Sequence, residues 1–347
     1  MVHRDGPQLG YREYPMKKTI ITLAGGITLA GLMAGTALAD PAVIYDLGGK
    51  FDGSFNESAY NGAATWAEET GGTFLEYEIT SDADRELALR RFASQGANPI
   101  VMAGFSWETI LNALAPEFPD TNFVVIDTVV DQPNVQSVMF DEHTGSFLVG
   151  ALAALKSETG TVGFVGGMDI PLIHRFYCGY AQGAKTVNPD LRVLESYIGT
   201  TPDAWNDEQG GRENANAQAD AGADVIFAAA GGSGLFVIQT LADRGLYSIG
   251  VDANQNHLAP GSVLTSMVKR VDVAVNNAFT VAGDDATFTP GLTVMGLADN
   301  GVGYALDENN EALLTDEMIE TVDALREQII AGEIEVHDYY VDSACPY

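Results

Sequence analysis

Strand-like and helix-like segments alternate along the chain from residue 42 onward. Short runs rich in apolar and β-branched residues are followed by stretches whose apolar residues recur every three or four positions. The predicted strands of this first series are 42–45, 73–79, 100–103 and 122–126, and the predicted helices are 57–69, 83–95 and 107–118. Such alternation predicts a parallel sheet with helices on both faces.

The segment 134–141 and an apolar helix at 144–157 come next, after which the same pattern restarts. The predicted strands are now 160–165, 192–198, 225–229 and 247–250, with helices near 172–187, 207–221 and 235–244. Two series predict an α/β protein of two doubly wound parallel-sheet lobes with a hinge and a ligand cleft between them.

The C-terminal part of the chain is expected to return to both lobes. It contains a predicted helix at 271–282, strand-like segments near 292–306 and a helix at 315–331. We therefore predict an N-terminal lobe of 40–157 plus part of 270–347. The C-terminal lobe then consists of 158–269 plus part of 300–347.

Residues 16–39 have the composition of a secretory signal peptide. Met16 and two lysines precede an apolar stretch that ends in Ala-Leu-Ala before Asp40, which matches the charged start, apolar middle and small-residue cleavage site of such signals. We expect cleavage after Ala39, with Met16 a candidate for the true start, and a periplasmic protein. Because no cysteine lies near the cleavage site, we expect no lipid anchor.

The charge of the chain restricts its partners. The formal net charge is −31, and residues 1–39 contribute four basic and two acidic residues, so the remainder is near −33. Nucleic acids and anionic membranes require cationic surfaces, so neither is expected as a partner. After residue 39 the chain has only four lysines, at positions 50, 156, 185 and 269, and each of them is therefore informative.

The chain has two cysteines, Cys178 and Cys345. In an oxidising compartment a pair of cysteines is more typical of a disulfide than of a catalytic or metal site. We predict a Cys178–Cys345 disulfide, with two free buried thiols as the alternative.

The first strand-to-helix turn, 46–56, combines an acceptor, an aromatic ring and an amide. Asp46, Phe55 and Asn56 lie in a glycine-rich segment between the strand 42–45 and the helix 57–69. Such a turn lies at the carboxyl ends of the strands, where open α/β sheets bind ligands. A hydrophobic staple is the alternative role for Phe55.

Several segments in a fixed order give the chain a resemblance to a known family. The segments are 46–56 (DLGGKFDGSFN), 123–127 (FVVID), 145–154 (GSFLVGALAA), 163–169 (GFVGGMD), 230–234 (AGGSG), 249–252 (IGVD) and 264–272 (LTSMVKRVD). With them the chain resembles the basic membrane protein family of ABC-transporter substrate-binding proteins, whose well-understood members are purine-nucleoside receptors. The resemblance implies a type I periplasmic-binding fold, a monomer without a cofactor, and delivery of the ligand to membrane permease subunits.

The resemblance also implies a set of ligand-binding residues. Asp252 follows an apolar strand and would bind the ribose, because a carboxylate accepts both hydroxyl hydrogens of a diol. Phe55 would stack on the base, and Asp46 and Asn56 would make polar contacts. Asp127, at the end of the strand 122–126, would also bind ligand. For either aspartate, capping of a turn or helix is the alternative.

The opposite wall of the implied site comes from the second series. Trp205 is expected to supply the second aromatic face, with Phe176 as an alternative whose stretch could equally be core helix. Gly231 would let the ligand approach the backbone, although a tight turn explains it as well. Lys269 would reach the base or a neighbouring aspartate, with a surface salt bridge as the alternative.

Other functions agree less well with the sequence. The same fold could bind a free purine, a flavin-like molecule or another small polar metabolite. An exported nucleoside hydrolase would need a metal or a general base, but the histidines lack metal-ligand spacing and no nucleophile elbow occurs. We therefore expect that the protein is not an enzyme and that it has no metal site and no catalytic residue.

Overall fold

Two six-stranded β-sheets form the framework of the protein. The computed structural model describes residues 40–281 and 287–347. The predicted signal peptide, its cleavage site and the candidate start Met16 lie outside the described residues. The two-lobed α/β architecture is confirmed, because each series of strands builds its own sheet.

The first sheet is entirely parallel, in the order β11-β5-β4-β3-β1-β2. Its strands are β1 (Ala42–Tyr45), β2 (Leu75–Glu78), β3 (Ile100–Met102), β4 (Phe123–Ile126), β5 (Val135–Phe140) and β11 (Gly291–Met295). The connecting helices are α1 (Phe55–Thr70), α2 (Asp82–Ser94) and α3 (Glu108–Leu114). The central strands β1, β3 and β4 are buried at every position, which explains why they are almost continuously apolar.

The second sheet has the order β12-β10-β9-β8-β6-β7 and is parallel except for the edge strand β12. Its strands are β6 (Thr161–Met168), β7 (Arg192–Gly199), β8 (Val225–Ala229), β9 (Tyr247–Asp252), β10 (Val263–Lys269) and β12 (Val302–Tyr304). The remaining helices are α4 (Glu142–Lys156), α5 (Pro171–Val187), α6 (Glu208–Asp220), α7 (Gly232–Asp243), α8 (Val271–Thr280), α9 (Asp316–Ile330) and α10 (Tyr339–Asp342).

The predicted elements agree with the structure except near their ends, and one strand was not predicted. The strand β10 was not predicted from the hydrophobic pattern, because its serine, threonine and lysine interrupt the apolar run. The strand-like segments near 292–306 are two strands in different sheets, β11 in the first and β12 in the second. The chain thus crosses between the sheets again after residue 295.

The helix α4 lies against the second sheet. Its contacts are with α5, α9, β8, β10 and β12, whereas the predicted boundary after residue 157 would assign it to the first lobe. The other lobe boundaries stay predictions.

Glycines permit the close packing of α4 on α5. A Cβ at Gly150 would overlap the carbonyl of Tyr180, and one at Gly183 would overlap the carbonyl of Phe147. A helical glycine costs about 1 kcal/mol relative to alanine, so these positions are explained by the contact and not by helix stability. The result is a closely packed pair of helices, α4 and α5.

The C-terminal segment is fastened to α5. Cys178, on that helix, and Cys345 are joined in a disulfide with a Cα–Cα distance of 5.5 Å. Within the two described ranges, no helix has the length and apolarity needed to cross a membrane.

Candidate functional site

A pocket lies between the two sheets, at the carboxyl ends of their strands. Its walls border about 600 Å³ of empty space, a figure that includes space open to solvent. All nine residues predicted to bind ligand line this pocket: Asp46, Phe55, Asn56, Asp127, Phe176, Trp205, Gly231, Asp252 and Lys269. Trp205 and Phe176, predicted as alternatives for the second aromatic face, both line the pocket.

The turn between β1 and α1 forms one wall and is held by its own hydrogen bonds. The Asn56 side chain accepts a hydrogen bond from the Asp46 amide at 2.9 Å. Its Nδ2 donates to the carbonyls of Asp46 and Gly49, both at 3.2 Å. Both amide hydrogens of Asn56 are therefore engaged within the turn, which fixes the position of the neighbouring Phe55 ring.

Asp46 is paired with an arginine that sequence reasoning missed. Arg85, on α2, is 2 % exposed, and its Nη2 lies 2.5 Å from Asp46 Oδ1. Burial raises the pKa of Asp46 and the Arg85 guanidinium opposes that shift. A Cβ at Gly104 would overlap the Asp46 carboxylate, so glycine at that position leaves room for this ion pair.

Asp52 is a second pocket residue that was not predicted. Its carboxylate accepts hydrogen bonds from the backbone N–H groups of Ser54, Asn56 and Glu57 at 2.8, 3.0 and 3.1 Å. These donors would otherwise be unpaired at the start of α1. Burial raises the pKa of Asp52 to about 6, against these hydrogen bonds. The sequence did contain a signal for this role, because Asp52 lies just before the start of α1, where a carboxylate can accept hydrogen bonds from the first N–H groups of the helix.

Trp205 forms the opposite aromatic wall. It ends the 3₁₀ turn Pro202–Trp205, and its indole lies in space that glycines leave open. A Cβ at Gly167, in β6, would overlap the six-membered ring of the indole, and one at Gly231 would lie 3.5 Å from it. The position of the ring therefore depends on glycines from two neighbouring strand ends.

Lys269 lies at the centre of a buried ionic cluster. Its Nζ is 2.7 Å from both carboxylate oxygens of Asp127 and 3.0 Å from Glu142 Oε1. All three side chains are almost fully buried. Burial lowers the pKa of Lys269, but Asp127, Glu142 and Asp252 outweigh it, so the pKa lies above its ordinary value. Burial also raises the pKa of Asp127, with Lys269 opposing.

Aromatic rings surround the same ammonium group. Nζ of Lys269 lies 5.2 Å from the ring centre of Phe55, 5.0 Å from Phe140 and 5.8 Å from Phe176. These are cation–π distances. Lys269 is therefore a fully buried, charged residue of the pocket and not a surface salt-bridge partner.

The cluster continues behind the pocket through Glu142. That carboxylate also pairs with Arg175 on α5, whose guanidinium binds Asp338 at 2.7 and 2.9 Å. Sequence reasoning missed both Glu142 and Arg175, because charged residues on helices are usually solvated.

Asp127 and Asp252 share an uncommon backbone conformation. Their φ angles are 72° and 63°, in the left-handed region that side chains other than glycine rarely adopt. Strained residues of this kind cluster at functional sites. Each follows or ends a buried central strand, β4 or β9, so both carboxylates are directed into the same cleft from different sheets.

Asp252 also contacts the facing turn. Its Oδ2 accepts a hydrogen bond of 2.5 Å from the Ser54 hydroxyl. Burial raises the pKa of Asp252 to about 6, against the effects of Lys269 and Ser54.

The other lining residues are mostly apolar. They are Leu47, Gly104, Phe105, Leu172, Ile173, Ala229 and Val251. Several of these follow or end a strand of the sheets, so the strand-end rule applied to every strand would have indicated Phe105 as well. In the described part of the chain, no group of three or more His, Cys, Asp or Glu side chains is arranged to hold a metal ion.

The pocket chemistry favours an uncharged, flat ligand rich in hydrogen-bond donors. Aromatic and apolar groups cover most of its surface, and four carboxylates from Asp46, Asp52, Asp127 and Asp252 face one lysine within it. A phosphorylated or carboxylated ligand would meet repulsion from these acceptors.

A cleft between two doubly wound sheets, with side chains converging from both, defines a two-lobed ligand-binding protein. A family model described as Bmp, the PnrA-like ABC transporter substrate-binding proteins, matches residues 39–339. The chain belongs to this family, and the resemblance inferred from its motifs is confirmed.

Individual relatives support the same family membership. A Lactococcus lactis protein named ABC transporter nucleoside-binding protein BmpA is 32 % identical over 320 residues, covering 85 % of this chain and 88 % of the relative. Basic membrane protein A2 of Borrelia garinii is 32 % identical over 302 residues, with coverages of 85 % and 87 %. An uncharacterized lipoprotein of Pyrococcus horikoshii is 34 % identical over 279 residues, with coverages of 76 % and 68 %.

Solved structures give the same fold. A solute-binding protein of an ABC transporter system from Aeropyrum pernix superposes with a TM-score of 0.78 at 28 % identity, covering 86 % of this chain and 93 % of its own. A protein of Bacillus halodurans described as a transcriptional activator of the comK gene superposes at 0.73 with 21 % identity, covering 86 % and 100 %. At 21 % identity, the similarity to the Bacillus halodurans protein shows a shared fold alone.

Proposed function

We propose that this protein captures a purine nucleoside, such as guanosine, inosine or adenosine, between its lobes and delivers it to the permease of an ABC importer. Membership in a substrate-binding family supplies the general role, a small-molecule receptor that works with membrane subunits. One observation carries the choice of ligand: two aromatic rings, Phe55 and Trp205, line the same pocket as the carboxylates of Asp127 and Asp252. A nucleoside has one flat base and one diol, and this set of groups suits both.

The proposed contacts follow from the placement of the side chains. Phe55 and Trp205 stack on the base, and Asp127 with Lys269 binds its polar edge. Asp252 accepts the ribose hydroxyls. Asp46 adds a polar contact while Asn56 acts chiefly by holding the turn, and Gly231 gives the ligand access to the backbone. The name of the Lactococcus lactis relative supports a nucleoside as the ligand class.

We further propose that the chain is exported, with cleavage after Ala39, and works as a monomer outside the cytoplasmic membrane. The family consists of substrate-binding proteins of transporters, which fits export. The predicted absence of a lipid anchor stays a prediction, and relatives named lipoproteins do not favour it.

A thermal-shift and calorimetric titration tests the ligand. Guanosine, inosine, adenosine, their free bases and riboflavin are compared, and each mixture is analysed for products by chromatography. We expect nucleosides to bind and to be recovered intact. Binding of a free base or riboflavin alone would replace the proposed ligand, and conversion of nucleoside to base and ribose would overturn the receptor role.

A further inference from the structure

Two hydrogen bonds join the turn of the first sheet directly to the end of β9 in the second. The Ser54 hydroxyl donates to Asp252 Oδ2 at 2.5 Å. Next to it, Nε2 of Gln255, three residues after the end of β9, donates to the carbonyl of Gly53, the residue before Ser54, at 2.8 Å. All these side chains are buried, with Ser54 at 0 % and Gln255 at 1 % exposure. They lie beside the ligand pocket, although neither Ser54 nor Gln255 lines it.

Both partners are also held by hydrogen bonds to their own segments. Ser54 precedes α1, and its amide is bound by Asp52 at 2.8 Å. On the other side, Gln255 Oε1 accepts from the Val251 amide at 2.9 Å, and the Gln255 amide donates to Ser266 Oγ at 2.9 Å. A hydrogen bond between groups that are already fixed loses little conformational entropy when it forms.

Gly53 brings the two segments into contact. It has a φ of 67°, and a Cβ at this position would lie 3.0 Å from a methyl group of Leu235 on α7. The absence of a side chain therefore allows α7 to pack on the turn. An apolar contact thus borders the two hydrogen bonds and helps to exclude water from them.

Only one of the two carboxylate oxygens of Asp252 accepts a hydrogen bond from the described residues. Ser54 uses Oδ2, and across residues 40–281 and 287–347 no group donates a hydrogen bond to Oδ1. A carboxylate that becomes buried without partners costs a large desolvation free energy. The serine hydroxyl supplies one partner from the opposite lobe, and a donor on a ligand would supply the other.

We propose that Ser54 and Gln255 form a closure latch, in which Asp252 is shared between the opposite lobe and the ligand. The sharing with ligand rests on the proposed function, whereas the latch itself does not. Bringing the lobes together would satisfy one oxygen of Asp252, and binding a ligand hydroxyl would satisfy the other. Each event lowers the cost of the other, so ligand binding and closure become coupled.

Three variants separate the latch from general damage to the fold. Ser54→Ala removes the hydroxyl that Asp252 accepts. Gln255→Glu keeps the oxygen that binds Val251 but places a carboxylate oxygen against the Gly53 carbonyl. Ser58→Ala is the matched control, because Ser58 is also buried, lies one turn along α1, and accepts from the Asp272 amide at the start of α8 at 3.2 Å, away from this seam.

Two measurements are made on all four proteins. Small-angle X-ray scattering gives the fraction of closed molecules without ligand, and stopped-flow fluorescence with guanosine, inosine and adenosine gives association and dissociation rates. We expect Ser54→Ala to weaken nucleoside binding roughly tenfold, mainly through faster dissociation, and to lower the closed fraction. Gln255→Glu should lower both at least as much, and Ser58→Ala should match the wild type.

Different results would overturn the proposed nucleoside ligand and the proposed latch. A wild-type protein that binds no nucleoside would overturn the proposed ligand, and the closed fraction would still decide the latch. A closed fraction that is the same in all four proteins, even one too small to detect, would overturn the latch. So would equal losses in Ser54→Ala and Ser58→Ala.

Discussion

The two sides of the pocket are held together by different interactions. On the side of the turn between β1 and α1, each carboxylate has its own set of partners: Asp46 has the Arg85 guanidinium, and Asp52 has three backbone N–H groups. On the side of Lys269, which ends β10, this one ammonium group pairs with Asp127 from the first sheet and with Glu142, and it lies close to Asp252.

This difference indicates which side recognises the polar part of a ligand. The charges of the turn are balanced locally, so that side chiefly presents the Phe55 ring. Around Lys269 the carboxylates outnumber the cation, and Asp252 keeps an oxygen without a donor from the described residues. Excess acceptors in a buried site favour a ligand that brings donors.

Removing the shared cation should have the largest effect. Lys269→Met leaves Asp127 without its ion pair and Glu142 with Arg175 alone, and breaking a buried ion pair typically costs about 3–5 kcal/mol. Urea unfolding measures the loss. The control Lys185→Met, whose ammonium binds the Pro189 carbonyl at an exposed site, should change stability by less than about 0.5 kcal/mol. Equal losses of unfolding free energy in Lys269→Met and Lys185→Met would show that the buried ion pairs of Lys269 do not stabilise the fold.

Removing the cation of the first side should cost less. Arg85→Met leaves Asp46 with its hydrogen bond from the Leu47 amide at 2.7 Å, so we expect a loss of about 2 kcal/mol, in the range for a hydrogen bond to a charged group. Arg90→Met, on the same helix as Arg85, breaks exposed pairs with Glu86 and with Glu117 of the turn after α3, and it should leave the unfolding midpoint unchanged. A loss from Arg85→Met larger than that from Lys269→Met would reverse the comparison.

The aromatic wall of the second side can be moved without touching its charges. Gly167→Ala places a methyl group where the Trp205 indole lies, so the ring must shift. Base stacking on an aromatic side chain contributes about 1–3 kcal/mol, and we expect nucleoside affinity to fall by roughly 10- to 100-fold.

Calorimetry measures this loss of affinity. The control is Gly303→Ala in β12, where a Cβ meets no atom within 4 Å. Full affinity in Gly167→Ala would remove Trp205 from the stacking role.

A change of pH should affect binding and stability in opposite directions. The pKa of Asp252 is about 6 in the folded protein against 3.8 for a free carboxyl, so the folded state holds this proton more tightly. The Asp252 contribution to stability is therefore present below pH 4 and is lost as the pH rises through 6. The ionised form binds hydroxyls, so nucleoside affinity should fall roughly tenfold between pH 7 and pH 5.

The variant Asp252→Asn isolates this carboxyl. Its affinity should be low at both pH values and change less between them. A wild-type affinity that stays constant from pH 7 to pH 5 would contradict a role for the Asp252 carboxylate in binding.

The strand ends of the fold explain why much of the site was predictable. Asp127 and Asp252 follow or end buried strands of different sheets, and the carboxyl ends of the strands of both sheets face the same pocket, so their convergence follows from sequence order and the two-lobed fold. The family resemblance added Trp205, Gly231 and Lys269, whose local sequence alone allows other roles.

The supporting residues were not predictable in the same way. Arg85 and Arg175 lie on amphipathic helices, where a charged residue is usually solvated, and only tertiary packing shows that both are buried. Ser54 was part of the quoted turn, but its partner Asp252 is 198 residues away. Gly104 and Gly167 matter for the space they leave, which no local pattern reveals.

A crystal structure of the protein grown with guanosine tests the central claim most directly. We expect electron density for one nucleoside between the sheets, with its base between the rings of Phe55 and Trp205. A ribose hydroxyl should lie within hydrogen-bond distance of Asp252 Oδ1 while Ser54 remains on Oδ2. A closed protein whose pocket excludes the nucleoside, or a ribose placed away from Asp252, would contradict the account.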